Sequence, residues 1–235
     1  MVWRPVPFSP KTPIVVTFAP LILTFEVATL AVVASGVLGI GLGALLSRRK
    51  LPGSDLLDGI VTAPMVLPPT VLGYYMLVLF GRRSPVGRLF EAVTGSTIVF
   101  SFTGVVLAAT VGALPLVVMS SRAALESVDP ILKNAARTLG AGPLRTFLTV
   151  ELPLSAPGIV AGLMLGFARA LGDFGVTLMV AGDIPDRTQT ASLAIYDAIQ
   201  ANRERDALGM IAVLTCIAVG ALFVAGRLTR AQRVL

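Results

Sequence analysis

Five stretches of this chain run for about twenty residues or more with almost no charge, and a bilayer core is about that many helical residues thick. Residues 27–47, 60–80, 92–121 and 208–226 carry no charged side chain at all. Residues 152–182 carry only Arg169 and Asp173. Hydrocarbon offers no partner for a backbone N–H or C=O, so such runs must close their own hydrogen bonds as helices. The expected fold is an all-α integral membrane protein of about five transmembrane helices. Only 14% of the residues are charged and the mean hydropathy is +0.85, against about 25% charged in soluble domains.

The residues that are missing narrow the chemistry. There is no histidine, which removes His-ligated metal sites and His-based acid–base catalysis. The single cysteine, Cys216, rules out a disulfide within the chain. No G-x-x-x-x-G-K-[ST] run is present to cradle nucleotide phosphates. The spans hold no nucleophile–base pair and no pair of carboxylates, so an intramembrane enzyme is not expected. The net charge of +6 sits in short loops beside apolar spans, which is membrane topology and not a nucleic-acid surface.

Those loops also give an orientation. Arg48, Arg49, Lys50, Arg122, Lys133, Arg137, Arg145, Arg227, Arg230 and Arg233 fall on one face. Arg4, Lys11, Arg82, Arg83, Arg88, Arg187, Arg203 and Arg205 fall on the other. The denser clusters at span ends favour the first face as cytoplasmic. The expected topology in the cell membrane is N-terminus outside, C-terminus cytoplasmic. Residues 1–19, broken by prolines and without the order of a cleavable signal peptide, are expected to be a retained extramembrane tail. Residues 20–227 form the transmembrane domain, and 228–235 a cytoplasmic tail.

One polar segment interrupts this oily chain, "NAARTLGAGPLRTFLTVELP" at 134–153. Asp129-Pro130 supplies an N-cap followed by proline at the first helical position. Ile131, Leu132, Ala135, Ala136 and Leu139 form a stripe at helical spacing, with Lys133, Asn134 and Arg137 off it. Gly140 and Gly142 stop the helix and turn the chain, and Pro143 opens a second helix expected to run to Pro153 and Pro157. The whole hairpin spans about 122–155. It reads either as an ordinary interfacial loop or, with small side chains at an exposed bend, as a docking site for another protein.

The spacing Asn134-Ala135-Ala136, Gly140, Val150, Leu152-Pro153 resembles the EAA loop of ABC transporter permeases, with Asn134 in place of Glu and Val150 in place of Ile. The stretches "PMVLPPTVLGYYMLVLFGRRSPVG" and "FARALGDFGVTLMVAGDIP" are similar to the molybdate/tungstate branch, and sulfate permeases carry related sequences. That resemblance implies a type I ABC importer permease fold with a cytoplasmic coupling hairpin. It implies a second copy of the chain, two cytoplasmic ABC ATPase subunits holding ATP and Mg, and an extracytoplasmic oxyanion-binding protein. It implies no cofactor on this chain. Asn134, Ala135, Ala136, Gly140, Leu152 and Pro153 would couple to the ATPase. The cargo would be molybdate or tungstate, with sulfate or thiosulfate as the alternative.

Within the spans, Pro68-Pro69 removes two backbone donors and bends the helix, as a passive kink or as a polar break beside Gly73 along a pathway. Gly158, Gly162, Gly166 and Ala170 form a small-residue row suited to close helix packing. Arg169 and Asp173 lie one turn apart and can pair, either as a plain salt bridge or as a pathway group. Phe174 and Gly175 follow directly. "GIGLGA" at 39–44 matches a dinucleotide fingerprint only by chance and reads as helix packing, and "DFG" at 173–175 lacks every other kinase feature. The loop after 182 carries a modest amphipathic helix around Ile195, Tyr196 and Ile199. It is either a solvated connector or, by the resemblance, part of an outer gate.

Overall fold

The structure is a computed structural model that describes residues 18–47 and 53–231. Residues 1–17, the Arg48-Arg49-Lys50 cluster and residues 232–235 lie outside the described residues. Everything described is helix and connection. The helices are α1 (Phe18–Leu46), α2 (Ser54–Val66), α3 (Pro69–Phe80), α4 (Pro85–Thr94), α5 (Phe102–Glu126) and α6 (Pro130–Thr138). After them come α7 (Pro143–Thr146), α8 (Leu152–Leu171), α9 (Gly175–Ala181), α10 (Ala191–Gln200) and α11 (Glu204–Ala231). A single π-helical turn, Phe147–Glu151, fuses α7 to α8.

Four segments are long and apolar enough to cross a membrane: Phe18–Leu46, Phe102–Glu126, Pro143–Leu171 and Glu204–Arg227. The pair α2 and α3 is apolar enough to cross only when taken together, bent by 117° between them, and counts as a fifth where the two form one broken span. Four spans, or five with the bent pair, accord with the expected count, with three changes of detail. The first helix starts at Phe18 and not near residue 27, because the buried row Thr24, Val27, Ala28, Ala31 runs back past Glu26, which points outward. The second span is two helices and not one kinked rod: Leu67, held extended by the proline after it, and Pro68 itself both leave helical geometry. The fourth expected span ends at Leu171, and α9 is a separate short helix, although apolar residues continue through it.

Pro153 does not end the second hairpin helix. In an α-helix its ring would meet the carbonyl four residues back and leave that carbonyl unpaired. Here the chain widens by one residue: the Leu152 N–H reaches back to the Phe147 carbonyl, five residues earlier. Pro153 then falls in the first turn of α8, and the helix runs on unbroken past Pro157.

Packing centres on α5, with α1 and α8 against it. Val117 of α5 sits between two glycines. A Cβ added to Gly39 of α1 would lie 2.8 Å from its Cγ1, and one added to Gly166 of α8 would lie 2.9 Å from its Cγ2. Gly39 and Gly43 of the "GIGLGA" run and Gly162 and Gly166 of the later glycine row are thus close contacts between helices, as small residues permit in membranes. Val27, Ala28, Ala31, Val105, Ala109, Ala170 and Leu171 complete this core. A second cluster joins α3, α5 and α9 through Leu72, Met76, Ala108, Val176 and Val180.

Candidate functional site: a projecting hairpin and a cavity at the broken helices

The hairpin is built from local signals. Asp129 Oδ1 accepts from the Ile131 N–H at 2.8 Å and Pro130 takes the first turn. At the other end Gly140 adopts φ +85°. Its N–H donates to the Arg137 carbonyl and the Ala141 N–H to the Ala136 carbonyl, both at 3.0 Å. This paired pattern closes a helix through a left-handed residue, which glycine adopts without strain. Pro143 then restarts the helix, with the Thr146 N–H on the Gly142 carbonyl.

No residue of α6 is buried. Asn134 and Ala135 are open and Ala136 is half-buried. Ile131, Leu139 and Leu144 are each more than two-thirds exposed, at 71%, 88% and 71%. Exposed apolar sets of this kind mark contacts with other proteins or with membrane in general. Leu152 and Pro153 are not at the tip but on the returning helix, just past the π turn.

One side chain ties α6 to the body. Lys133 Nζ donates to the Leu125 carbonyl at the end of α5 (3.1 Å) and lies 3.6 Å from Glu151 Oε2 in the π turn. Arg122 braces the same end of α5, pairing with Asp58 of α2 at 2.8 Å and Glu126 at 3.0 Å. The Lys133 tie was not foreseen from the sequence. An amphipathic pattern places Lys133 off the apolar stripe, and nothing in the local spacing links it to Glu151.

The second site lies where α2 breaks into α3. A cavity of about 200 Å³ is walled by Pro64 and Met65 from α2, Leu67 at the break, Pro69 and Leu72 from α3, Gly112 and Leu116 from α5, and Val176 from α9. Arg169 of α8 reaches it as its one charged lining residue. Its side chain is 37% exposed, whereas that of Asp173 is only 4% exposed. Arg169 Nη1 and Asp173 Oδ1 are 3.3 Å apart. Asp173 Oδ2 accepts from the Thr177 N–H at 3.1 Å and the Thr177 hydroxyl at 2.6 Å. Asp173 thereby caps the first turn of α9 and stops the fourth span where it does.

Of the pathway candidates, the structure brings Pro69, Gly73, Arg169, Asp173 and Gly175 into one neighbourhood. A Cβ on Gly73 would lie 2.6 Å from Met179 Cβ, and one on Gly175 would lie 2.7 Å from Pro69 Cβ, so α3 and α9 touch backbone to side chain. Phe174 packs against Tyr196 of α10 with the rings tilted at 52° and 5.1 Å between their centres. Pro68 is exposed at the break and does not line the cavity. Gly112 and Leu116 were missed. Glycine at 112 is the only sequence signal they carry, and it is one of 23 glycines.

Outside the spans three of the described groups are perturbed. The Arg82 hydrogen bond holds the Glu91 carboxyl below its usual range, and Arg82 is raised in turn. Burial pushes Asp183 up, against a hydrogen bond with Gln189.

A bundle of four long apolar helices and one bent pair, with a projecting hairpin and a cavity at the break, is a multi-pass membrane architecture. Residues 35–232 match the family described as "Binding-protein-dependent transport system inner membrane component", and the chain belongs to that family. It is 43% identical over 214 residues to the molybdenum transport system permease protein ModB of Escherichia coli strain K12, covering 91% of this chain and 93% of that one. It is 32% identical over 209 residues to a probable sulfate transport system permease protein, cysT, of Anthoceros angustus, covering 87% and 71%. In fold it is similar to a chain of the MetNI methionine ABC transporter in inward-facing form, with a TM-score of 0.68, 19% identity and coverage of 91% and 94%. A bacterial alginate ABC transporter in complex with a pentasaccharide-bound periplasmic protein gives a TM-score of 0.71 at 15% identity, covering 91% and 78%. The fold is that of type I ABC importer permeases.

Proposed function

We propose that this chain is the permease subunit of an ATP-driven importer for molybdate or tungstate. Two copies would enclose the pathway, two cytoplasmic ATPase subunits would supply ATP hydrolysis, and an extracytoplasmic binding protein would deliver the anion. ATP and Mg would belong to the ATPase subunits and not to this chain. The N-terminus lies outside and the C-terminus in the cytoplasm, so that α6 meets the ATPase. Asn134, Ala135, Ala136 and Gly140 form the contact, and Leu152-Pro153 carry its movement into α8.

The observation that carries this reading is the state of α6: capped at both ends, without a buried residue, and with its apolar side chains in the open. A helix so built has its packing partner on another chain. The cargo assignment rests on the 43% identity to the Escherichia coli molybdenum permease. Closure of the ATPase pair would rotate the spans as rigid bodies and alternate access to the pathway. The pathway itself would run by the cavity at Pro69, Gly73 and Arg169, with Pro68, Asp173, Phe174 and Gly175 shaping its walls and the break.

The test is ATP hydrolysis in proteoliposomes containing the chain, its ATPase and its binding protein, titrated with molybdate, tungstate and sulfate. Stimulation by the two heavier anions where sulfate does nothing is the expected outcome. Stimulation by sulfate would move the cargo and keep the architecture. A chain that retains no ATPase would overturn the coupling reading altogether.

A further inference from the structure

The cavity at the helix break has one chemical property that packing does not require. Eight of its nine lining residues are glycine, proline or aliphatic side chains, and the ninth is Arg169. An arginine needed only to neutralise Asp173 would be expected to close on it with short, paired hydrogen bonds of about 2.7–2.9 Å. Here the two meet through a single 3.3 Å contact. Asp173 is meanwhile engaged elsewhere, its second oxygen taken by the Thr177 N–H and hydroxyl. The carboxylate is buried behind the guanidinium and does not line the cavity. Gly112 of α5 lies directly against the guanidinium: a Cβ there would be in ordinary contact with Arg169 Nη2 at 3.6 Å. The cavity thus faces a guanidinium with unspent donors and not the acid that balances it.

We infer that Arg169 is a transient ligand for the transported oxyanion, hydrogen-bonding a tetrahedral dianion as it passes the break between α2 and α3. This rests on the importer reading above and names a residue that acts within it. A dianion in an otherwise apolar cavity is heavily penalised unless it is paired and hydrogen-bonded, and a guanidinium offers two parallel N–H donors to two oxygens of one anion. The acid fixed behind it serves the other half of the task. It holds the guanidinium against the α9 cap and weakens its field, so the anion is held loosely enough to leave, as conduction requires.

The experiment uses the complete reconstituted transporter and measures both molybdate uptake and binding-protein-stimulated ATP hydrolysis. Arg169→Gln is expected to lower uptake at least tenfold while stimulated hydrolysis persists, since the hairpin and the ATPase contact are untouched. The Arg169→Gln/Asp173→Asn double variant decides between the two roles. If Arg169 only balances Asp173, removing both charges restores uptake. If Arg169 binds the anion, the double variant stays as inactive as the single one. Recovery in the double variant, or wild-type uptake by Arg169→Gln, overturns the inference. Should Arg169→Gln fail to assemble, Arg169→Lys is read in its place. It keeps the charge and loses the fork, and is expected to retain hydrolysis with uptake reduced several-fold. Full uptake by it would overturn the fork's role. A wild-type transporter that takes up none of the three anions would instead defeat the importer reading, so the two failures are distinct.

Discussion

The hairpin and the cavity use opposite construction. The hairpin is held by what lies next to it in sequence: Asp129 on Ile131, Gly140 and Ala141 on the turn before them, and a single lysine reaching back to α5. The cavity is held by residues from five helices, and beside it Gly73 and Gly175 lie so close to their neighbours that no Cβ would fit without displacement. On the importer reading proposed above, a hairpin grasped by another chain would tolerate change on its surface, and a cavity that opens and shuts around a charge would have little slack.

The largest contrast is expected from paired substitutions. Gly73→Val drives a branched side chain into Met179 and should cost about 1–3 kcal/mol by overpacking, read as a lower Tm of the solubilised protein. Ala135→Val on exposed α6 should change stability by no more than about 0.5 kcal/mol. Equal losses would remove the distinction. Next comes Gly140→Asp. Its left-handed backbone costs about 1–2 kcal/mol for an ordinary residue, but Asp is among the few side chains that visit it. The fold should survive while stimulated hydrolysis is lost. Retained stimulation would mean the tip does not contact the ATPase.

Lys133→Met tests the tie between the regions. It removes one hydrogen bond, worth about 1 kcal/mol, and the half-buried pair with Glu151. Anion uptake per ATP hydrolysed should fall several-fold with little change in Tm. An unchanged ratio would show that α6 passes its movement on by another route. The smallest effect is expected at Arg82 and Glu91, a surface pair in which Arg82 is open and Glu91 half-buried. The Glu91 carboxyl is held below its usual range by Arg82, so the pair's contribution is present above the ordinary carboxylate pKa. It fades as the pH falls through the lowered one. Glu91→Gln should leave uptake and Tm unchanged at physiological salt.

This contrast also explains what could be read in advance. Asp129-Pro130, Gly140 and Pro143 announce caps and a turn because each acts on residues within a few positions of itself. The number of spans follows from apolar runs alone. The 117° bend at Leu67-Pro68 does not: two prolines say that a helix breaks, but only Gly73 against Met179 and Pro69 against Gly175 set where α3 goes next. The end of the fourth span at Leu171 was hidden because residues 175–181 stay apolar. Only Asp173 turning onto Thr177 reveals the stop. Glu26 pointed the reading toward a later start of α1, since a charge was counted without its direction.

The π turn has a consequence at a distance. Residues advance by about 100° around an α-helix, so one additional residue in a turn resets the phase of everything beyond it. From Pro143 to Leu171 the chain is one continuous rod. The turn at Phe147–Glu151 therefore chooses which side of that rod Arg169 occupies, several turns further on. Deleting a single residue there would leave the hairpin and its caps in place and aim the guanidinium away from the cavity. The angular setting of the charge is written at the hairpin end of the helix, where Lys133 holds Glu151.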